Sequence, residues 1–210
     1  MRDLSAKSIR KDCPHCRLGS FALEHPLYET KNFRIICDVH PLTEGHILII
    51  PKLHLSCIGA FPKDLFKEFS KIYSDISNFL TNTYGNVSTF EHGIYGQTVY
   101  HSHIHLLQFN GKIEDIIPEG IQCVRPINDL TKLASVYKTH GGYLFFSLNG
   151  KNYLVDKNLA QTRFFRDRFA KVLGHPERGD WKKARNNEKL LDKMKVDILR
   201  LVKKWNSYQK

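Results

Sequence analysis

GQTVYHSHIHLLQF, residues 96–109, places three of the chain's 11 histidines at alternate positions: His101, His103 and His105. Alternation is the period of a β-strand, in which residues two apart share a face. The spacing predicts a strand over residues 98–109, with a histidine column on one face and Ser102, Ile104 and Leu106 on the other. Imidazole ligates metals, accepts protons and attacks phosphorus. The column therefore admits a metal site, a nucleophilic site, or histidines that merely share a polar sheet face.

The flanking sequence supplies a scaffold. Residues 33–37 and 47–50 are apolar runs separated by a Pro- and Gly-containing turn, and read as an antiparallel hairpin. Leu65, Phe66, Phe69, Ile72, Ile76, Phe79 and Leu80 recur at helical spacing, and Gly85 ends that run. Residues 87–90 read as another strand. Downstream, apolar runs at 143–148 and 151–155 flank Asn149-Gly150, a strong two-residue hairpin signal. Residues 127–139, 161–173 and 187–205 read as helices, the last amphipathic through Leu190, Leu191, Met194, Ile198, Leu201 and Val202.

With 41% hydrophobic and 11% aromatic residues, the chain can bury a core. No apolar run is long enough to span a membrane, and the charged start, MRDLSAKSIRKD, lacks the apolar core of a secretory signal. Five cysteines, an odd number, argue against a disulfide framework. A cytoplasmic protein is expected. The net charge of +11 suits phosphate-bearing partners: nucleotides, RNA or DNA. Residues 151–210 hold 17 Lys and Arg against 7 Asp and Glu, a difference of +10, so the excess lies there. That face is either a nucleic-acid surface or a solvated helix surface. Cys13-Pro14-His15-Cys16 forms a tight knuckle that suits metal binding, redox chemistry or a reduced buried pair. The βαβ context that redox motifs need does not follow it.

Four motifs in order carry a family resemblance. HSHIHLL resembles the alternating pattern of the histidine-triad (HIT) superfamily, with Ser102 where an apolar residue is usual. GQTVYH is similar to the lead-in of its hydrolases. DVHPLTEGHILIIPKLH, residues 38–54, resembles its hairpin, and Phe90-Glu91-His92-Gly93 is similar to a motif of one bacterial-type branch. The resemblance covers residues 13 to about 110. It implies His103 as the nucleophile that attacks the α-phosphorus of a nucleotide, forming a covalent nucleotidyl-imidazole. His105 would donate to phosphate oxygens, Gln97 and Thr98 would contact the phosphate chain, and Asp38 would accept from the ribose hydroxyls. Donors aimed at oxygens that carry transition-state charge are what this chemistry needs. The transferase branch commonly has Gln at the third position, so His105 points to hydrolysis. In zinc-bearing members the Cys pair is completed by two histidines, here His54 and His101. The implied structural Zn2+ site is Cys13, Cys16, His54 and His101, with His15 as an alternative ligand.

The expected fold is α+β: a HIT-like antiparallel sheet with packed helices. Residues 1–115 would form the catalytic domain with its N-terminal zinc knuckle. Residues 116–210 would form a basic mixed strand and helix extension packed on or beside it, distantly similar over 141–181 to longer members such as dinucleoside polyphosphate phosphorylases. Arg163, Arg166, Arg168, Arg178, Lys182, Lys183 and Arg185 could present charge to phosphate. The expected function is hydrolysis of a phosphoanhydride or phosphoramidate bond in a dinucleoside polyphosphate or adenylylated small molecule. Removal of a nucleotidyl group from nucleic-acid ends, and a non-catalytic nucleotide- or RNA-binding module, are the alternatives. A nucleotide substrate, a homodimer and nucleic acid docked on the basic segment are the expected partners, with no membrane.

Overall fold

The computed structural model describes residues 10–209, so the first nine residues of the charged start lie outside it. Eight strands form one antiparallel sheet: β1 (Pro26–Glu29), β2 (Phe33–Cys37), β3 (Ile47–Pro51), β4 (Ser88–Gly93), β5 (Ile104–Leu107), β6 (Val124–Ile127), β7 (Tyr143–Leu148) and β8 (Lys151–Val155). Their order across the sheet is β1-β2-β3-β5-β4-β7-β8-β6. The helices are α1 (Lys63–Tyr84), α2 (Ile113–Ile116), α3 (Lys132–His140), α4 (Phe164–Val172), α5 (Trp181–Ala184) and α6 (Glu188–Tyr208). The α+β class read from the sequence is the one observed.

Local chemistry explains the elements. Strand β3, Ile-Leu-Ile-Ile-Pro, is buried throughout because helices and loops cover both sheet faces. Helix α1 buries Leu65, Phe69, Ile72, Ile76, Phe79 and Leu80, and stops where Gly85 takes φ +89°. Asn149 and Gly150 both have positive φ, as the tight β7–β8 hairpin requires.

Two apolar layers sandwich the sheet. On one side Ile35, Ile49, Ile104, Leu106 and Phe145 pack with Phe69, Ile76 and Phe79 of α1 and with Ile198, Leu201 and Trp205 of α6. On the other, Phe90, Leu107, Leu144 and Phe146 pack with Phe164, Phe165 and Phe169 of α4. The expected boundary at 115/116 falls inside α2. Beyond it the chain adds β6, β7 and β8 to the same sheet, with β7 paired to β4 from Thr89↔Ser147 to Gly93↔Tyr143.

The strand predicted over 98–109 is only Ile104–Leu107. The backbone before it leaves the ladder: Ser102 N–H donates to the Leu55 carbonyl at 2.6 Å, and His101 N–H to Val99 at 2.8 Å. Thus His105 is on the strand, whereas His101 and His103 sit on its approach and point to different neighbours.

Candidate active site and metal centre

His103 and His105 line a cavity of about 460 Å³. The turn that delivers them depends on Gly96, at φ +79°. A Cβ there would lie 2.4 Å from the Gln161 carbonyl oxygen, so no other residue fits without a shift. Past the turn, His103 Nδ1–H donates to the His101 carbonyl at 2.6 Å. In the neutral ring this leaves the lone pair on Nε2. Burial lowers the pKa of His103, against the opposing pulls of that carbonyl and of Asp38. A neutral imidazole is the nucleophilic form.

Hydrogen bonds also fix the tautomer of His105. Leu42 N–H donates to His46 Nδ1 at 3.1 Å. His46 must therefore carry its proton on Nε2, which lies 2.9 Å from His105 Nδ1 and donates to it. That places the His105 proton on Nε2, a buried atom with no partner among the described residues. Phe90, directly across the ladder on β4, stacks on the His105 ring with centroids 4.2 Å apart. Burial lowers both pKa values, that of His46 to about 4, so both rings are neutral near pH 7. His105 thus presents a donor with an unmet hydrogen bond. His46 was not singled out in the sequence; its place in the EGH turn was the only signal.

Asp38 lines the same cavity. Its Oδ1 accepts from His40 N–H at 2.8 Å, and its Oδ2 from Arg166 Nη1 at 2.7 Å. Burial alone would raise this carboxyl, but Arg166 and then His46 outweigh it and hold the pKa below the ordinary value. Arg166 also donates to the His40 carbonyl at 2.7 Å. Arg178 pairs with Asp197 at 2.6 Å. Both arginines are buried; Arg178 lies outside the cavity wall, whereas Arg166 lines the cavity with its charge committed to Asp38.

Thr98 is in the cavity wall. Gln97 is not: its amide donates to the Ser56 carbonyl at 2.7 Å, and its buried Oε1 has no partner among the described residues. The polar Ser102 has a clear reason. Its hydroxyl donates to Glu91 at 2.8 Å; this buried carboxylate also accepts from Ile58 N–H at 3.0 Å and from the Tyr143 hydroxyl. Burial pushes the Glu91 carboxyl up to about 7.

Cys13, Cys16, His54 and His101 converge, with their donor atoms all within 4.8 Å of one another. His101 Nδ1 is 3.4 Å from each sulfur, and His54 Nδ1 is 3.3 Å from Cys16 Sγ. A zinc ion at usual bond lengths would space N and S about 3.6 Å apart, close to these values. His101 Nε2–H donates to the Pro51 carbonyl at 2.8 Å, which turns the Nδ1 lone pair toward the thiols. The group fits a metal ion. His15 stands outside it: its ring meets His103 edge-on, centroids 4.8 Å apart, and it lines the cavity.

Residues 22–110 match the HIT domain. A HIT-like protein of Chlamydia trachomatis is 34% identical over 85 residues, which cover 39% of this chain and 77% of that one. The Arabidopsis thaliana protein named adenylylsulfatase HINT3 is 30% identical over 111 residues, half of this chain and only 55% of the plant protein. A solved HIT family protein from Bacillus anthracis is 22% identical and covers 61% of this chain and 96% of its own, with a TM-score of 0.44. Among the described residues no helix is long and apolar enough to cross a membrane. On the motifs and the domain match, the chain belongs to the HIT family.

Proposed function

We propose that this protein hydrolyses nucleotides at the α-phosphorus in two displacements. The observation that carries the reading is the pairing of tautomers in one cavity: His103 with its lone pair on Nε2, and His105 with a buried, unpartnered Nε2–H. The first is a nucleophile; the second is a donor for a charged phosphate oxygen.

In the first displacement, His103 Nε2 bonds to phosphorus as the bond to the leaving oxygen or nitrogen breaks. In the second, water attacks phosphorus, the P–Nε2 bond breaks, and the imidazole is restored. His105 steadies the non-bridging oxygens in both, with Thr98 on the phosphate chain and Asp38 on the ribose hydroxyls. Asp38 keeps accepting capacity for a diol, because each carboxylate oxygen has two lone pairs. Gln97 serves from behind by holding the Ser56 loop. An adenylylated small molecule or a dinucleoside polyphosphate is the substrate class; the name of the plant relative supports the former.

The Cys13, Cys16, His54 and His101 group is read as a structural zinc site. Zinc would hold the thiolates and cross-link the knuckle to the triad's approach. The carbonyl of His101 in turn orients His103. Residues 116–210 act as an extension that completes the sheet. A homodimer would use faces other than strand edges: β1 carries Pro26 and a register shift, and β6 carries Pro126. Five cysteines without a disulfide suit a reducing, cytoplasmic setting.

Turnover of adenosine 5′-phosphoramidate tests the reading. Release of AMP is expected from the wild type, with a loss of many orders of magnitude in His103→Ala while nucleotide binding survives. Activity within about tenfold of wild type in that variant would remove His103 from the mechanism.

A further inference from the structure

The HIT match ends at residue 110, yet part of the cavity wall comes from α5. Trp181 opens that helix behind Asp180, whose side chain accepts from the N–H groups of Lys182 and Lys183. Its indole Nε1–H donates to Thr98 Oγ1 at 3.4 Å. Asp180 pairs with Arg163 at 3.4 Å, and Arg163 N–H donates to the Gly96 carbonyl at 3.1 Å. The ring is thus tied to the turn that delivers His103.

Beside it lies Phe21, with ring centroids 6.3 Å apart and planes 32° apart. Phe21 is 43% exposed, although it lines the cavity. His40 completes the corner, its ring 6.0 Å from Trp181. The order of groups along the wall matters. His105 is 3.7 Å from Asp38, Asp38 accepts from His40 N–H, and the His40 ring adjoins Trp181. Phosphate donor, diol acceptor and aromatic corner follow one another as phosphate, ribose and base do in a nucleotide.

We infer that Trp181, with Phe21, is the nucleobase platform, so that the C-terminal extension supplies base recognition to a catalytic centre built by the earlier part of the chain. The inference rests on the nucleotide reading above. Stacking accepts any base and favours the larger purine face. The substrates are therefore nucleotides selected by stacking.

Of the two tryptophans only Trp181 lines the cavity, while Trp205 is buried in the core, so a quench that is lost in Trp181→Phe reports on Trp181. AMP and ribose 5-phosphate are titrated into the full-length protein, with tryptophan fluorescence and calorimetry read in parallel. AMP is expected to quench fluorescence with the same midpoint as its heat of binding, and ribose 5-phosphate to leave it unchanged. In Trp181→Phe the quench disappears and AMP binds a few-fold more weakly, because a smaller ring face remains. In Trp181→Ala AMP binds roughly tenfold to a hundredfold more weakly. Heat of AMP binding with unmoved Trp181 fluorescence, or Trp181→Phe and Trp181→Ala both binding AMP like wild type, would overturn the platform and leave the nucleotide reading standing. A wild type that binds no nucleotide would remove both.

Discussion

Two groups of ligand-type side chains, Cys13–Cys16–His54–His101 and Asp38–His46–His105, each bring their donor atoms within 4.8 Å of one another. They are built for different ends. In the first, His101 spends its outer nitrogen on the Pro51 carbonyl and turns the other toward two sulfurs. In the second, Arg166 already compensates Asp38, His46 uses both ring nitrogens, and the ring nitrogen left unspent, His105 Nε2, is a donor. Crowding alone does not make a metal site. The direction of the remaining lone pairs decides between a metal cage and a proton-ordered relay.

The largest expected effect breaks the first group. Wild type should carry about one zinc per chain. Cys13→Ser/Cys16→Ser should lose it, with a stability loss on the order of 5 kcal/mol. Metal analysis of untagged protein and chelator-dependent melting check this: chelation should lower the melting temperature of wild type and leave the variant's unchanged.

Next comes the second group's own cation. Arg166→Met leaves Asp38 buried and uncompensated, at a cost of about 3–5 kcal/mol in urea unfolding. Arg166→Met/Asp38→Leu should recover part of it. A single variant as stable as wild type would show that the pair carries no structural weight.

The relay also sets a pH dependence. Burial holds the folded pKa of His46 near 4 and that of His92 near 3, against 6.5 for an unperturbed histidine. Between pH 6.5 and 4 the unfolded chain binds protons that the folded chain does not, so stability falls on acidification, by about 3 kcal/mol for His46 alone. Glu91 opposes this. Its folded pKa of about 7 lies above the ordinary 4.5, so its contribution is full at low pH and fades as pH rises through 7. Glu91→Gln should steepen the acid loss between pH 7 and 4.5, as read from unfolding at several pH values.

His46→Phe isolates the proton ordering. Without His46 Nε2–H, the His105 proton can sit on Nδ1, and Nε2 then meets the phosphate with a lone pair. The rate constant kcat should fall by about a hundredfold, with KM little changed. The smallest effect lies far from both groups. Reversing the exposed Lys189, Lys193 and Lys203 on α6 should alter stability by less than about 0.5 kcal/mol. Nucleic-acid docking through that face predicts weaker binding of a DNA oligonucleotide and a shallower salt dependence in the variant. An unchanged slope assigns the charge to solvation.

Some of this was legible in the sequence because the chemistry is local. Residues 33–37, 47–50, 143–148 and 151–155 have the right periods and turns, and each is a strand within a residue. The metal-type cluster followed from motif resemblance. What stayed hidden is long-range. The strand β6 holds Pro126 and lacks alternation, and it exists because β8 pairs with it. The predicted helix over 161–173 starts only at Phe164, since Arg163 adopts φ +60° where the chain bonds back to Gly96. Nothing in the sequence around Arg166 announces its pairing with Asp38, 128 residues earlier. Ser102 looked like a departure from pattern until Glu91 lay beneath it.

The central claim is that His103 takes the nucleotidyl group before water does. The stereochemical course at phosphorus tests it most directly, with a substrate made chiral at the α-phosphorus by sulfur and resolved in isotopically labelled water. Two in-line displacements predict net retention of configuration. Net inversion would mean that water attacks directly, and would contradict the account.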